Sequence, residues 1–186
     1  EGATEPEVKG IDQIENLIAE IVKNPGGRRH IVTAWNPRDV PHVALPPCHS
    51  LWQVGVNVER RTMSLMLYQR SLDIFLGAPF NILSYALMLH IICHAVNQRL
   101  GLNDLRTRLE SKVRPYTPDK FIHSVADTHL YINHIDPVFT QWQRKSLDNK
   151  IEVDLEGFDI NEPEIDKIKI TGYDNAHLAI KADVAV

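Results

Sequence analysis

The chain has 186 residues, 44% of them hydrophobic and 24% charged, with two cysteines and a formal charge of -4 at pH 7. That length is one domain's worth, able to bury about two thirds of the surface its unfolded form exposes, so no disulfide or metal staple is required. The negative charge excludes general affinity for nucleic acid, and any anion site must be local, built from a few arginines. The first residues lack the pattern of a secretory signal, and the longest apolar-rich run, 82–96, reads as too short and too interrupted to span a bilayer. Two cysteines without a disulfide scaffold fit a reducing cytoplasm.

Residues 1–10 are polar and read as a loop or frayed end. From Ile11 the apolar residues Ile14, Leu17, Ile18, Ile21 and Val22 recur at helical spacing, and Asn24-Pro25-Gly26-Gly27 stops the helix. The basic trio Arg28-Arg29-His30 runs into a β-branched strand over 31–35. Four prolines make 36–47 a loop. Two strand-like runs, 51–58 and 62–69, flank Glu59-Arg60-Arg61 and predict a hairpin. Pro79 to Leu100 is the clearest helix, with proline near its start and Gly101 past its end. It is apolar on nearly every side, which assigns it to the middle of a domain.

Residues 103–119 are charged and contain proline, and are expected to be a surface excursion before a short strand at 121–125. Helical signals return over 137–144. Between Asp148 and Asp166 eight acidic residues face one lysine, the pattern of a solvated face with one alternating strand at 151–155. A last strand is expected at 165–170. Helices and strands mix without strict βαβ alternation, so the fold class is α+β: a mixed sheet packed with a long buried central helix.

Chemistry concentrates in Leu45-Pro46-Pro47-Cys48-His49. A lone cysteine is most often a small buried hydrophobe. Here the thiol falls where a proline loop meets a strand, a usual place for function. A metal role needs partners, and adjacent Cys48 and His49 do not chelate one ion easily. His90, Cys93 and His94 share the apolar helix but lack a carboxylate or a second Cys-x-x-Cys unit, so no metal is expected. A nucleophile needs nearby positive charge to hold the thiolate. The hairpin supplies a candidate, because Arg70 comes off the end of the strand next to the one Cys48 precedes.

Five stretches in order carry a resemblance. They are Arg28-Arg29-His-Ile-Val-Thr-Ala-Trp-Asn36, Ala44-Leu-Pro-Pro-Cys48-His49, Leu67-Tyr-Gln-Arg-Ser-Leu-Asp73, Phe75-Leu-Gly-Ala-Pro-Phe-Asn81-Ile82 and Asp127-Thr-His129-Leu-Tyr131-Ile-Asn133-His134. With the tail Val-Ala-Val186 they make the chain resemble the thymidylate synthase family from about Ile11 to its end.

The resemblance implies an obligate homodimer that converts deoxyuridylate (dUMP) and methylenetetrahydrofolate to thymidylate and dihydrofolate. It implies that the Cys48 thiolate adds to carbon 6 of the uracil ring. Arg70 and Ser71 would hold the nucleotide phosphate, with Arg70 also favouring the thiolate, and Arg28 and Arg29 would reach the partner subunit's phosphate site. Asn81 would read the 4-oxo and N3-H edge of uracil with one acceptor and one donor, where an aspartate would suit cytosine. His129 and Tyr131 would hold the 3′-hydroxyl, and Gln69 is an active-site polar residue. Asp73 would hydrogen-bond the pterin, Gly77 would allow close backbone approach, and the tail, Ala185 included, would close over the ligands.

The family also carries, N-terminal to these motifs, a phosphate-loop arginine, a proton-relaying glutamate and tryptophans at the folate site. Residues 1–186 are therefore expected to be the C-terminal two thirds of one catalytic domain, inactive if taken alone. Val125-Ala126-Asp127 stands where the family shows glycine before the aspartate, the stretch 103–119 is longer, and Asp183 replaces a proline. The tail change leaves open a deoxyuridylate hydroxymethylase, which traps the same intermediate with water. A non-catalytic fragment serving as a dimerisation or binding module is the alternative from another class. No metal, membrane or nucleic acid enters any of these readings.

Overall fold

A computed structural model describes residues 10–146, 149–173 and 177–184. Its element order is α1 (Gln13–Lys23), β1 (Ile31–Thr33), β2 (His49–Asn57), β3 (Thr62–Asp73), α2 (Gly77–Arg99), α3 (Leu105–Ser111), β4 (Thr117–His129), α4 (Ile135–Trp142), β5 (Glu152–Asp154) and β6 (Lys169–Thr171). Short 3-10 turns lie at Val40–His42, Ile132–His134 and Ile165–Lys167. The class is the expected α+β with a mixed sheet.

Four strands pair in chain order, β1-β2-β3-β4, antiparallel until the last step, where β4 runs parallel to β3. Antiparallel neighbours need only short turns, and Arg61 takes the left-handed φ of 56° that closes the β2–β3 hairpin. A parallel neighbour needs a crossover, and α2 supplies it. Alternation along the strands then decides the faces. Trp52, Val54, Met63, Leu65 and Leu67 point to one side, where they join Leu89, Ile92, Cys93, Ala95 and Val96 of α2 in one core. Leu17, Ile18 and Ile21 of α1 close that core from a second side. Helix α1 starts at Asp12, whose carboxylate caps Glu15 N-H, and Glu15 pairs with Arg99 at the end of α2.

Several boundaries differ from the sequence reading. The stretch 103–119 is not one loop: Asp104 caps α3, and β4 already begins at Thr117. Strand β4 has 13 residues where five were expected, because its edge position and alternating exposed side chains hide it from a hydrophobicity reading. The last strand shrinks to Lys169–Thr171, the residues before it forming a turn. Strand β3 runs on to Asp73, so Arg70 and Ser71 lie on the strand rather than off its end.

Helix α2 has 23 residues, longer than the run 82–96 suggests, and by length and apolar composition alone it could cross a membrane. Its buried residues all fall between Leu89 and Asn97, within the core. Asn97 is among them, with both amide atoms bonded to the Tyr116 backbone. Phe80, Ile82 and Leu83, in the first turns, remain exposed, while Asn81 and Tyr85 beside them meet the sheet.

Candidate active site

The Cys48 corner follows from the register of the hairpin. His49 of β2 lies opposite Gln69 of β3, and a register shift follows between His49 and Leu51. At this corner the backbone N-H of Arg70 donates to the Cys48 carbonyl at 2.9 Å. The Arg70 guanidinium turns toward the same loop, donating from Nη2 to the Pro46 carbonyl at 2.6 Å and from Nε to the Pro47 carbonyl at 3.1 Å. Each proline keeps its carbonyl as an acceptor, and these two take the guanidinium donors. The consequence is a half-buried thiol on a loop end that an arginine clamps from the neighbouring strand.

A polar row continues from that corner along the α2 side of the sheet. Gln69 is 2% exposed, and its Nε2 donates to the Ser71 carbonyl at 2.8 Å and to Asn81 Oδ1 at 3.0 Å. Gln69 Oε1 meets Nε2 of His123, on β4, at 2.9 Å. The rings of His49 and Tyr85 pack edge to face at 5.2 Å, Tyr85 stacks on Phe121 at 6.2 Å, and Phe121 lies 5.5 Å from His123. Burial raises the Tyr85 phenol above its ordinary range. Burial also lowers the His123 imidazole, with the nearby His49 adding to the effect, so at neutral pH it is uncharged.

A second group gathers where β3 and β4 end. The His129 and Tyr131 rings meet edge to face at 5.0 Å, the ring of Tyr131 meets that of His134 at 5.8 Å, and Phe75 packs 5.4 Å from His134. Fully buried His134 has Nε2 2.8 Å from the Asp183 carbonyl, which also accepts from Asn133 Nδ2 at 3.2 Å. Its Nδ1 lies 3.9 Å from Asp73 Oδ1. Asp73 Oδ1 accepts the Phe75 N-H at 2.9 Å, and among the described residues no donor is bonded to Oδ2. A Cβ built on Gly77 would sit 3.4 Å from that of Asp73 and 3.6 Å from Asn81 Oδ1, so the bare backbone keeps this ledge open. Beside it a cavity of about 510 Å³ is bounded by Leu76, Asn133, Pro137 and the tail residues Ile180 to Asp183. Ala185 lies outside the described residues.

The structure thus brings Cys48, Gln69, Arg70, Ser71 and Asn81 to one corner, and Asp73, Gly77, His129 and Tyr131 to the adjoining end of the sheet. Arg28 and Arg29 are elsewhere. They are exposed and precede β1, and the Arg28 carbonyl lies near Gln53, toward the end of β2 away from Cys48. Sequence reasoning assigned no role to His123, Tyr85, Asn133 or His134. His123 had a signal: it takes the inward position of an alternating run between Phe121 and Val125, where a polar residue needs a partner. The contact of His134 with Asp183, 49 residues on, left no local trace.

A thiol at a loop-strand junction, on a loop that an arginine ties to the sheet beside an amide network, marks the candidate site of this α+β domain. The chain belongs to the thymidylate synthase family, whose model matches residues 2–186. It is 43% identical over 178 residues to a thymidylate synthase of Staphylococcus haemolyticus, covering 94% of this chain and 48% of that protein. It is likewise 43% identical over 180 residues to a thymidylate synthase of Mesoplasma florum, covering 95% of this chain and 54% of the relative. The chain spans about half the length of these relatives.

Proposed function

We propose that the protein carrying this chain is a thymidylate synthase, acting on dUMP with methylenetetrahydrofolate through a covalent bond from Cys48 to the pyrimidine. The observation that carries the reading is the Cys48 corner: a half-buried thiol whose loop is tied to Arg70, with Asn81 reached through the single buried side chain of Gln69. The two named relatives support it. Ordinary packing does not require an arginine to tie down the loop ahead of a cysteine while the adjacent residue on the arginine's strand, a buried glutamine, holds an asparagine.

Addition of the Cys48 sulfur to carbon 6 moves an electron pair to carbon 5 and the 4-oxygen, and the Asn81 amide faces that developing charge as a donor. The folate, when bound, supplies a one-carbon unit and then a hydride. Asp73 Oδ2 and the open ledge at Gly77 suit a flat ring bearing N-H donors, which the free acceptor and the missing Cβ both favour. His129 and Tyr131, in contact at the end of β4, offer polar tips to a sugar hydroxyl. Arg70 and Ser71 hold the phosphate, and Arg70 does so while tied to the loop that positions the nucleophile. Carbon 5 would then bond the one-carbon unit, loss of its proton would expel the folate nitrogen from that carbon, a hydride from the folate would complete the methyl, and the sulfur would leave with the pair that made its bond.

The chain is read as working in a homodimer in a reducing cytoplasm. The sheet face away from α2, with Ile31, Leu51, Met66, Tyr68 and Ile122, carries no covering element among the described residues. That face suits a second copy, whose Arg28 and Arg29 would complete the phosphate site. Mixing Arg29→Ala protein with Cys48→Ser protein tests this. Subunit exchange should restore about a quarter of the unaltered activity, one intact site in each mixed dimer; no recovery despite exchange would reject the shared site. The reaction itself is tested by incubating the intact protein with dUMP and methylenetetrahydrofolate. Thymidylate and dihydrofolate in equal amounts are expected; hydroxymethyl product with tetrahydrofolate, or no product, would overturn the assignment.

A further inference from the structure

The row Ser71, Gln69, Asn81 and His123 contains a restriction that goes beyond the contacts of Asn81 with a pyrimidine. A side-chain amide can turn its oxygen or its nitrogen to a partner, and only the partners decide which. The Ser71 carbonyl is acceptor-only, so the Gln69 atom 2.8 Å from it must be Nε2. The same nitrogen lies 3.0 Å from Asn81, whose facing atom must therefore be the acceptor Oδ1. Gln69 Oε1 is left pointing at His123, 2.9 Å away. Gln69 is buried, so that oxygen needs a donor, and His123 is the side chain that meets it.

We propose that His123 is a positioning residue for pyrimidine selection: its Nε2-H holds Gln69, and through Gln69 it holds Asn81 with the Nδ2 donor turned to a ring carbonyl. This rests on the proposed uracil chemistry and names the residue that gives the site its 4-oxo preference. Asn81 Oδ1 is committed to Gln69, and among the described residues Asn81 Nδ2 has no protein acceptor. A ring bearing an oxygen at carbon 4 satisfies that donor, whereas a ring bearing an amino group meets it with another donor. Uncharged His123 has one donor nitrogen, so the relay fixes its tautomer as Nε2-H. Without that donor, Gln69 keeps only its bond to the Ser71 carbonyl against rotation, its buried oxygen is left unpaired, and its hold on Asn81 weakens.

Two replacements separate this role from packing. His123→Phe keeps a ring against Phe121 and removes the donor; His123→Gln restores an N-H at nearly the same reach. In the intact protein, the ratio of kcat/KM for dUMP over deoxycytidylate should fall about tenfold in His123→Phe, the effect of one lost hydrogen bond. It should return toward the original value in His123→Gln. An unchanged ratio in a folded His123→Phe protein, or the same loss in both variants, would overturn the proposal. Nitrogen-15 NMR of the histidine rings gives a reading independent of turnover. His123 should show the Nε2-H pattern in the unliganded protein, and the Nδ1-H pattern would reject the relay. If the unaltered protein fails to act on dUMP, the functional assignment falls, and the tautomer still decides the relay.

Discussion

The two cysteines occupy opposite environments within one domain. Cys93 sits in the second half of α2, 3% exposed, among Leu89, Ile92 and Val96, and burial pushes its thiol up to about 12. Cys48 sits half-buried where a proline loop enters the sheet, with a guanidinium bound to the two carbonyls before it. One cysteine has hydrocarbon for neighbours, and the other ends a loop whose carbonyls are tied to a guanidinium. Place therefore separates the two: the same side chain is filler in a helix interior and, at a strand end, the proposed nucleophile.

The comparison breaks most easily at Cys48. Cys48→Ser should lower turnover by roughly 10⁴-fold or more, as removal of a covalent nucleophile does, with the melting temperature little changed. Substantial turnover in that variant would move the chemistry elsewhere. Next in size is Asn81→Asp, which replaces the Nδ2 donor by an acceptor. Preference should shift toward deoxycytidylate by about 10- to 100-fold in the kcat/KM ratio, and retention of strict uracil preference would refute the reading of that edge.

Cys93→Ser sharpens the contrast from the other side. A hydroxyl placed in that apolar pocket should cost about 1–2 kcal/mol of stability in denaturant unfolding while leaving kcat unchanged. A large fall in kcat with stability intact would give Cys93 a catalytic part. The smallest effect is on pH. His90 and His123 are both held below their ordinary value of 6.5, in each case chiefly by burial. Their unfolded forms bind protons more readily, so stability should be full above about pH 6.5 and decline as pH falls below it. His90→Gln should flatten that decline in melting curves, and an unchanged slope would remove His90 from it.

Much of this contrast was readable from the sequence, and the reasons are local. The hairpin of β2 and β3 announces itself by two alternating runs about a short polar turn, and that pairing alone puts Arg70 beside Cys48. Helix α2 is marked by Pro79 and Gly101. What stayed hidden was set by partners distant in sequence. Strand β4 is an edge strand with its outward residues exposed, so its hydrophobic run looks five residues long. The exposed start of α2 could not be inferred from composition, since Phe80, Ile82 and Leu83 look like core residues. The relay from His123 to Asn81 depends on bringing 69, 81 and 123 together across a helix crossover, which no spacing rule encodes.

The most direct test of covalent attack by Cys48 uses dUMP carrying fluorine at carbon 5, with methylenetetrahydrofolate. Fluorine cannot leave as a proton does, so the adduct should be trapped on the protein. Mass spectrometry of the digested intact protein should then find nucleotide and folate together on the peptide containing Cys48. Adduct on the Cys93 peptide, or none on either peptide while the unsubstituted nucleotide still turns over, would contradict the mechanism.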